Sequence, residues 1–210
     1  MTDKDKRERL CTLCLSLFKR GYAVGGAGNV SVRTEDGGFL VTPTGSSLGR
    51  LTPDQLARID SNGEHVSGPK PSKEFIFHKA LYDCRSEAGA IVHLHSSYLT
   101  ALSCLEDLPM DNALRAFTPY YAMRVGYLPV IPYHKPGAPE IARDLEELAR
   151  KHPVKAFLMA SHGVTVLGEN IEEAVENAEE LEETAKLAFI LRREKVRYLS
   201  DQELSELRRK

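Results

Sequence analysis

Residues 90–95 read Ala90-Ile91-Val92-His93-Leu94-His95. A short apolar run rich in β-branched residues predicts a strand. Side chains two apart leave the same face of a strand, so His93 and His95 approach one point from a rigid platform. Their apolar neighbours predict a well-buried strand. Two adjacent buried imidazoles then need a metal ion or hydrogen-bonding partners. The His-x-His spacing is common and by itself leaves both outcomes open.

Around this strand the pattern mixes helices and strands. Upstream, a helix is predicted over residues 3–20, ending at Gly21. A glycine-rich stretch, Gly25-Gly26-Ala27-Gly28-Asn29, leads into strands at 30–33 and 39–42, with Asp36-Gly37-Gly38 as the hairpin signal. Thr52-Pro53-Asp54 opens a short helix. A helix over 72–84 follows, with Phe75, Ile76, Ala80 and Leu81 as its apolar face. Downstream, strands are predicted at 128–132, 156–160 and 164–167, with a helix over 139–151 between the first two. Asn170 caps a long helix reaching Leu191. Ser200-Asp201-Gln202-Glu203 is a capping-box pattern for a last short one. Interleaved strands and helices without a linker or repeat predict one layered α/β domain over residues 1–210.

Composition excludes several classes. With 28 basic and 30 acidic residues the formal net charge is −2, which gives no general attraction to nucleic acid or to an anionic membrane. No apolar run approaches a membrane span, and the N-terminal MTDKDKRER lacks the apolar segment of a secretory signal, so the cytoplasm is the expected compartment. Cys11 and Cys14 form a CxxC. Leu10, Cys11, Cys14, Leu15 and Phe18 share a helical face, however, and no second CxxC completes a four-thiolate site, so both thiols are expected in the core.

A third histidine raises the odds of a metal. His162 follows an apolar strand and precedes Gly163, in a turn where a site can form. Three neutral imidazoles with an open fourth position describe a catalytic zinc site. Glu74 lies near the start of a helix, where a negative charge is favoured anyway. It fits a base beside the metal or an exchangeable ligand, and spacing does not choose between these and a helix-start role. Three segments suit an anion: the glycine run at 25–29, Thr42-Pro43-Thr44-Gly45-Ser46-Ser47 with its hydroxyls, and Pro71-Ser72-Lys73 at a helix N-terminus. The glycine run matches neither the P-loop nor the dinucleotide fingerprint.

These segments together carry a resemblance. Gly28-Asn29-Val30-Ser31-Val32-Arg33, Thr42-Pro43-Thr44-Gly45, Pro71-Ser72-Lys73-Glu74, His93-Leu94-His95 and His162-Gly163 occur in that order. The chain resembles the class II aldolase/adducin superfamily over nearly its whole length. The resemblance implies a three-layer α/β/α fold with a central, largely antiparallel sheet. It implies a homotetramer with sites between subunits and one Zn2+ per subunit on His93, His95 and His162. It makes Glu74 the acid/base residue, and Asn29, Thr44, Gly45 and Ser72 the phosphate-binding positions.

Lys73 departs from the aldolases, which usually have serine there. Together with the segments 117–126 and 128–137 it resembles the 3-oxo-tetronate 4-phosphate decarboxylase branch. That branch implies a phosphorylated small-molecule substrate losing carbon dioxide through a metal-stabilised enediolate to give dihydroxyacetone phosphate. Lys73 would hold the phosphate or the carboxylate, with Tyr120 or Tyr121, His134 and Lys135 as contributors from a neighbouring subunit. A sugar-phosphate aldolase or 4-epimerase is the alternative. A non-catalytic adducin-like module is disfavoured by the full set of three histidines and Glu74.

Overall fold

The computed structural model describes residues 2–208. Eight strands form one sheet in the order β4-β3-β2-β1-β5-β8-β7-β6. They are β1 (Asn29–Arg33), β2 (Phe39–Val41), β3 (Ala57–Ile59), β4 (His65–Ser67), β5 (Ala90–Leu94), β6 (Val130–Ile131), β7 (Ala156–Met159) and β8 (Gly163–Gly168). Every neighbouring pair is antiparallel except β6 with β7. The α-helices are α1 (Asp3–Lys19), α2 (Phe75–Cys84), α3 (Ser97–Ser103), α4 (Pro119–Arg124), α5 (Pro139–Lys151), α6 (Ile171–Leu191) and α7 (Asp201–Arg208). They cover both faces of the sheet, which makes the expected three layers.

The period of two along β5 sorts the layers. Ala90, Val92 and Leu94 join a core built with α1, α3, α4 and α6, while Ile91 joins one built with α2 and α5. A buried aliphatic side chain contributes roughly 1.5–3 kcal/mol. A one-residue slip would exchange these two sets, so burial on both faces locks the register. That register places Asn29 of β1 and Thr165 of β8 on either side of His93. The candidate site therefore sits on a strand in the interior of the sheet.

Several expectations shift at the edges. On α1 the inward face is Leu10, Cys11, Cys14 and Leu17, with Leu15 exposed and Phe18 half-buried. Both cysteines are free thiols in the core, and burial pushes the Cys11 thiol up to about 11. The helix expected from residue 72 begins at Phe75. Its buried residues are Phe75, Phe77, His78, Leu81 and Tyr82, whereas Ile76 is 50% exposed and Ala80 half-buried. The strand expected over 128–132 narrows to Val130–Ile131 between two prolines. Strands β3 and β4 and helices α3 and α4 were not anticipated. Among the described residues no helix is long and apolar enough to cross a membrane.

Candidate active site

Each histidine is delivered by the end of a sheet element. His93 is the last inward-facing residue of β5, and His95 lies just past the strand end. His162 lies in the tight turn from β7 to β8. Ser161 in that turn has a left-handed backbone, φ 52°. This costs a non-glycine residue roughly 1–2 kcal/mol. Hydrogen bonds from the Ser161 N–H to Ser103 O (2.8 Å) and from the His162 N–H to Met159 O (3.1 Å) hold it. At Gly163 a Cβ would run into the Leu94 carbonyl oxygen and lie 3.1 Å from His95 Cδ2. Glycine there lets the two histidine-bearing segments close on each other.

The three rings meet edge to face, with centroids 4.9, 5.0 and 4.9 Å apart. One nitrogen from each lies within 4.8 Å of the others. His93 is fully buried, and its Nδ1 lies 3.0 Å from the Val164 carbonyl oxygen. A carbonyl only accepts, so Nδ1 carries the proton and the Nε2 lone pair points into the triad. His93 Nε2 is 2.9 Å from His95 Nε2. Burial lowers the pKa of both rings and keeps them neutral, the form that binds metal. A divalent cation fits this donor set, because it satisfies all three nitrogens at once.

Glu74 stands against the same nitrogens. It is the residue before α2, with φ −82° and ψ −4°. Its Oε1 is 3.4 Å from His162 Nε2 and its Oε2 is 3.6 Å from His93 Nε2. Asn29 Nδ2 donates to Oε2 at 2.7 Å. Burial would raise this carboxyl, but hydrogen bonds from His162 and Asn29 outweigh it and hold it well below the usual carboxylate range.

The segments read as anion-binding converge here. One pocket of about 320 Å³ is lined by Asn29, Thr44, Gly45, Ser72, Lys73, Glu74 and His95. Its wall also takes in Gly26, Ala27 and Ser46, and Pro136-Gly137 from the proline-rich loop of the same chain. Gly28 is in the left-handed region, φ 83°, and a Cβ there would lie 2.8 Å from the His93 carbonyl oxygen, so the loop can press against β5. Lys73 is exposed and forms no ion pair among the described residues. A larger cavity of about 560 Å³, lined by Leu114, Arg115, Phe117 and Tyr198, contains none of these residues.

The remaining residues expected from the sequence separate. Tyr121 is fully buried and its hydroxyl donates to Leu114 O at 2.8 Å, so it packs the core and is not available to a substrate. Tyr120, its neighbour on the same short helix, is 65% exposed. His134 is held by Asp144 at 2.7 Å, and Lys135 is exposed. Sequence reasoning missed a polar chain beneath α2. Ser31 Oγ is 2.7 Å from His78 Nδ1 and 3.0 Å from the Tyr82 hydroxyl, and that hydroxyl also reaches Ser31 O at 3.0 Å. The signal was available, because Ser31 lies two before Arg33 and two after Asn29 on β1 and so shares the face of Asn29.

Fold and site define the class: this is a lyase of the class II aldolase and adducin family, whose N-terminal domain description matches residues 8–189. Over 207 residues the chain is 55% identical to the 3-oxo-tetronate 4-phosphate decarboxylase of Haemophilus influenzae, covering 99% of this chain and 98% of that protein. The crystal structure of Escherichia coli YgbL superposes with a TM-score of 0.95 at 50% identity, over 98% of this chain and 99% of that one. An L-fuculose phosphate aldolase of Methanococcus maripaludis is 37% identical over 180 residues, 85% of this chain and 93% of that protein.

Proposed function

We propose that this chain catalyses the zinc-dependent loss of carbon dioxide from a 3-oxo-tetronate 4-phosphate, giving dihydroxyacetone phosphate. The observation that carries the reading is the shared pocket, in which Glu74 and His95 meet the Thr44, Gly45, Ser72 and Lys73 walls. A space of about 320 Å³ suits a four-carbon acid with its phosphate at one end and its reacting carbons at the other. The name carried by the Haemophilus relative supports decarboxylation in particular.

In such a substrate the C1–C2 bond breaks and C1 leaves as carbon dioxide. The electron pair stays at C2 and spreads onto the C3 oxygen as an enediolate. His93, His95 and His162 would hold the metal, with Glu74 beside them as a base or a displaceable ligand. When bound, Zn2+ supplies the positive charge that favours this build-up of negative charge. Glu74 passes a proton, drawn from solvent, to C2 and so completes the product's hydroxymethyl group. Asn29, Thr44, Gly45 and Ser72 fix the phosphate, which orients the carbons under attack. Asn29 also joins the two ends of the pocket, since its amide holds Glu74. Lys73 takes one of the two anionic groups of the substrate. The family resemblance extends to a homotetramer with sites between subunits, and the exposed Ile76, Tyr120, Met123 and Tyr133 offer apolar surface for it.

The test is direct. Metal-loaded protein given a 3-oxo-tetronate 4-phosphate should release carbon dioxide and dihydroxyacetone phosphate. Glu74→Gln should keep its zinc and lose activity by about 10²–10⁴-fold, the usual contribution of a general acid or base. The aldolase reading rests on the Methanococcus relative. It gains if L-fuculose 1-phosphate yields an aldehyde while the oxo acid stays intact.

A further inference from the structure

Glu182 of α6 is a carboxylate only 3% exposed, with no cationic partner within salt-bridge distance among the described residues. Burying a carboxylate without a counter-ion is unfavourable unless donors replace its lost water. Three do so. Ser96 Oγ donates to Oε2 at 2.7 Å, the Leu99 N–H to Oε2 at 3.0 Å, and the Tyr98 N–H to Oε1 at 2.8 Å. They lie at the N-cap and in the first turn of α3. Ser96 occupies the N-cap position, yet its side chain makes no capping hydrogen bond to the helix. The cap comes instead from a helix 86 residues away in sequence.

The residue immediately before Ser96 is His95. It stands beyond the last strand residue, Leu94, so the sheet ladder does not fix it. We propose that Glu182 is a positioning residue for His95: by tying the start of α3 to α6 it sets where that imidazole stands in the triad. The inference rests on reading His95 as a metal ligand. The carboxylate touches neither substrate nor metal and works only through the backbone that follows the ligand. Outer partners of metal ligands typically govern about 10–100-fold in affinity.

The experiment is a Co2+ and Zn2+ titration of the purified full chain against a chromophoric chelator, with the visible spectrum of the Co2+ form recorded. Glu182→Gln has the same shape but turns one donor amide against backbone N–H groups. It should weaken metal binding by about tenfold and alter the Co2+ spectrum. Asn177→Ala is the control. Its amide holds Leu167 O on β8 from the same helix, so its loss perturbs α6 without touching α3. It should leave both readouts at wild-type values. Unchanged affinity and spectrum in Glu182→Gln, or equal changes in Asn177→Ala, overturn the proposal. If Glu182→Gln does not fold, Ser96→Ala decides: it removes one of the three bonds and should weaken binding in the same direction, and wild-type binding in it overturns the proposal. Failure of the underlying reading looks different, because then His95→Ala binds metal as well as wild type.

Discussion

On one side of the sheet, Val92 of β5 lies in a row with Val30 of β1, Val166 of β8 and Ala156 of β7, all apolar and all packed under α1, α3, α4 and α6. One residue along, the row on the other side runs Asn29, His93, Thr165, and it faces α2. The same three strands thus build a dry packing surface and a polar lane one position apart. The pleat separates two jobs that a helix would mix over its circumference. Loss of function and loss of stability should therefore be separable by single substitutions.

The strongest break comes on the polar side. His93→Ala should lose metal and activity by at least about 100-fold, since even outer partners of a ligand govern about 10–100-fold. Metal analysis with the decarboxylase assay checks this, and an active metal-free variant would sink the assignment. The converse is Leu158→Ala on the dry side, where the side chain is fully buried. It should cost about 2–5 kcal/mol in urea unfolding while metal affinity holds.

Acid should distinguish the faces more gently. His78 is fully buried beneath α2, and burial lowers its pKa from 6.5 to about 3. Below about pH 6.5 the unfolded chain takes up a proton that the folded chain refuses. Stability from this group is complete above that pH and falls as pH drops toward 3, by up to about 1.4 kcal/mol per pH unit. Urea titrations at several pH values should show a shallower fall in His78→Asn. The smallest effect is expected for Tyr82→Phe, which removes a hydroxyl from the Ser31 group and should cost about 0.5–1.5 kcal/mol, with metal binding unchanged.

The elements legible in the sequence are those specified locally. Asn170 and the Ser200–Glu203 pair cap their helices as read, with Glu173 N to Asn170 Oδ1 at 2.9 Å and Ser200 N to Glu203 Oε2 at 2.8 Å. The apolar run at 90–94 announced β5, and the two-residue spacing announced the approach of His93 and His95. Three-residue strands such as Ala57–Ile59 carry too little pattern to announce themselves. Helix α3 was hidden for a different reason, since its cap is the distant Glu182. Ile76 was assigned inward because periodicity reports apolar character and not which residues the sheet below accepts. Opposite α2 the sheet presents Ser31, and His78 with Tyr82 fills that place. The three histidines and Glu74 could be singled out from sequence, but their meeting at one place depends on contacts such as Asn29 with Glu74, 45 residues apart.

The placement of β5 between β1 and β8 has a consequence for how the protein comes to exist. His93 is braced by Val164, 71 residues later in the chain. Pairings of such long separation form slowly and late. A ribosome adding about 5–20 residues per second exposes the His93 segment for several seconds before its partner strand has been made. A metal ion that needs all three histidines can then bind only after the turn bearing His162 has been made.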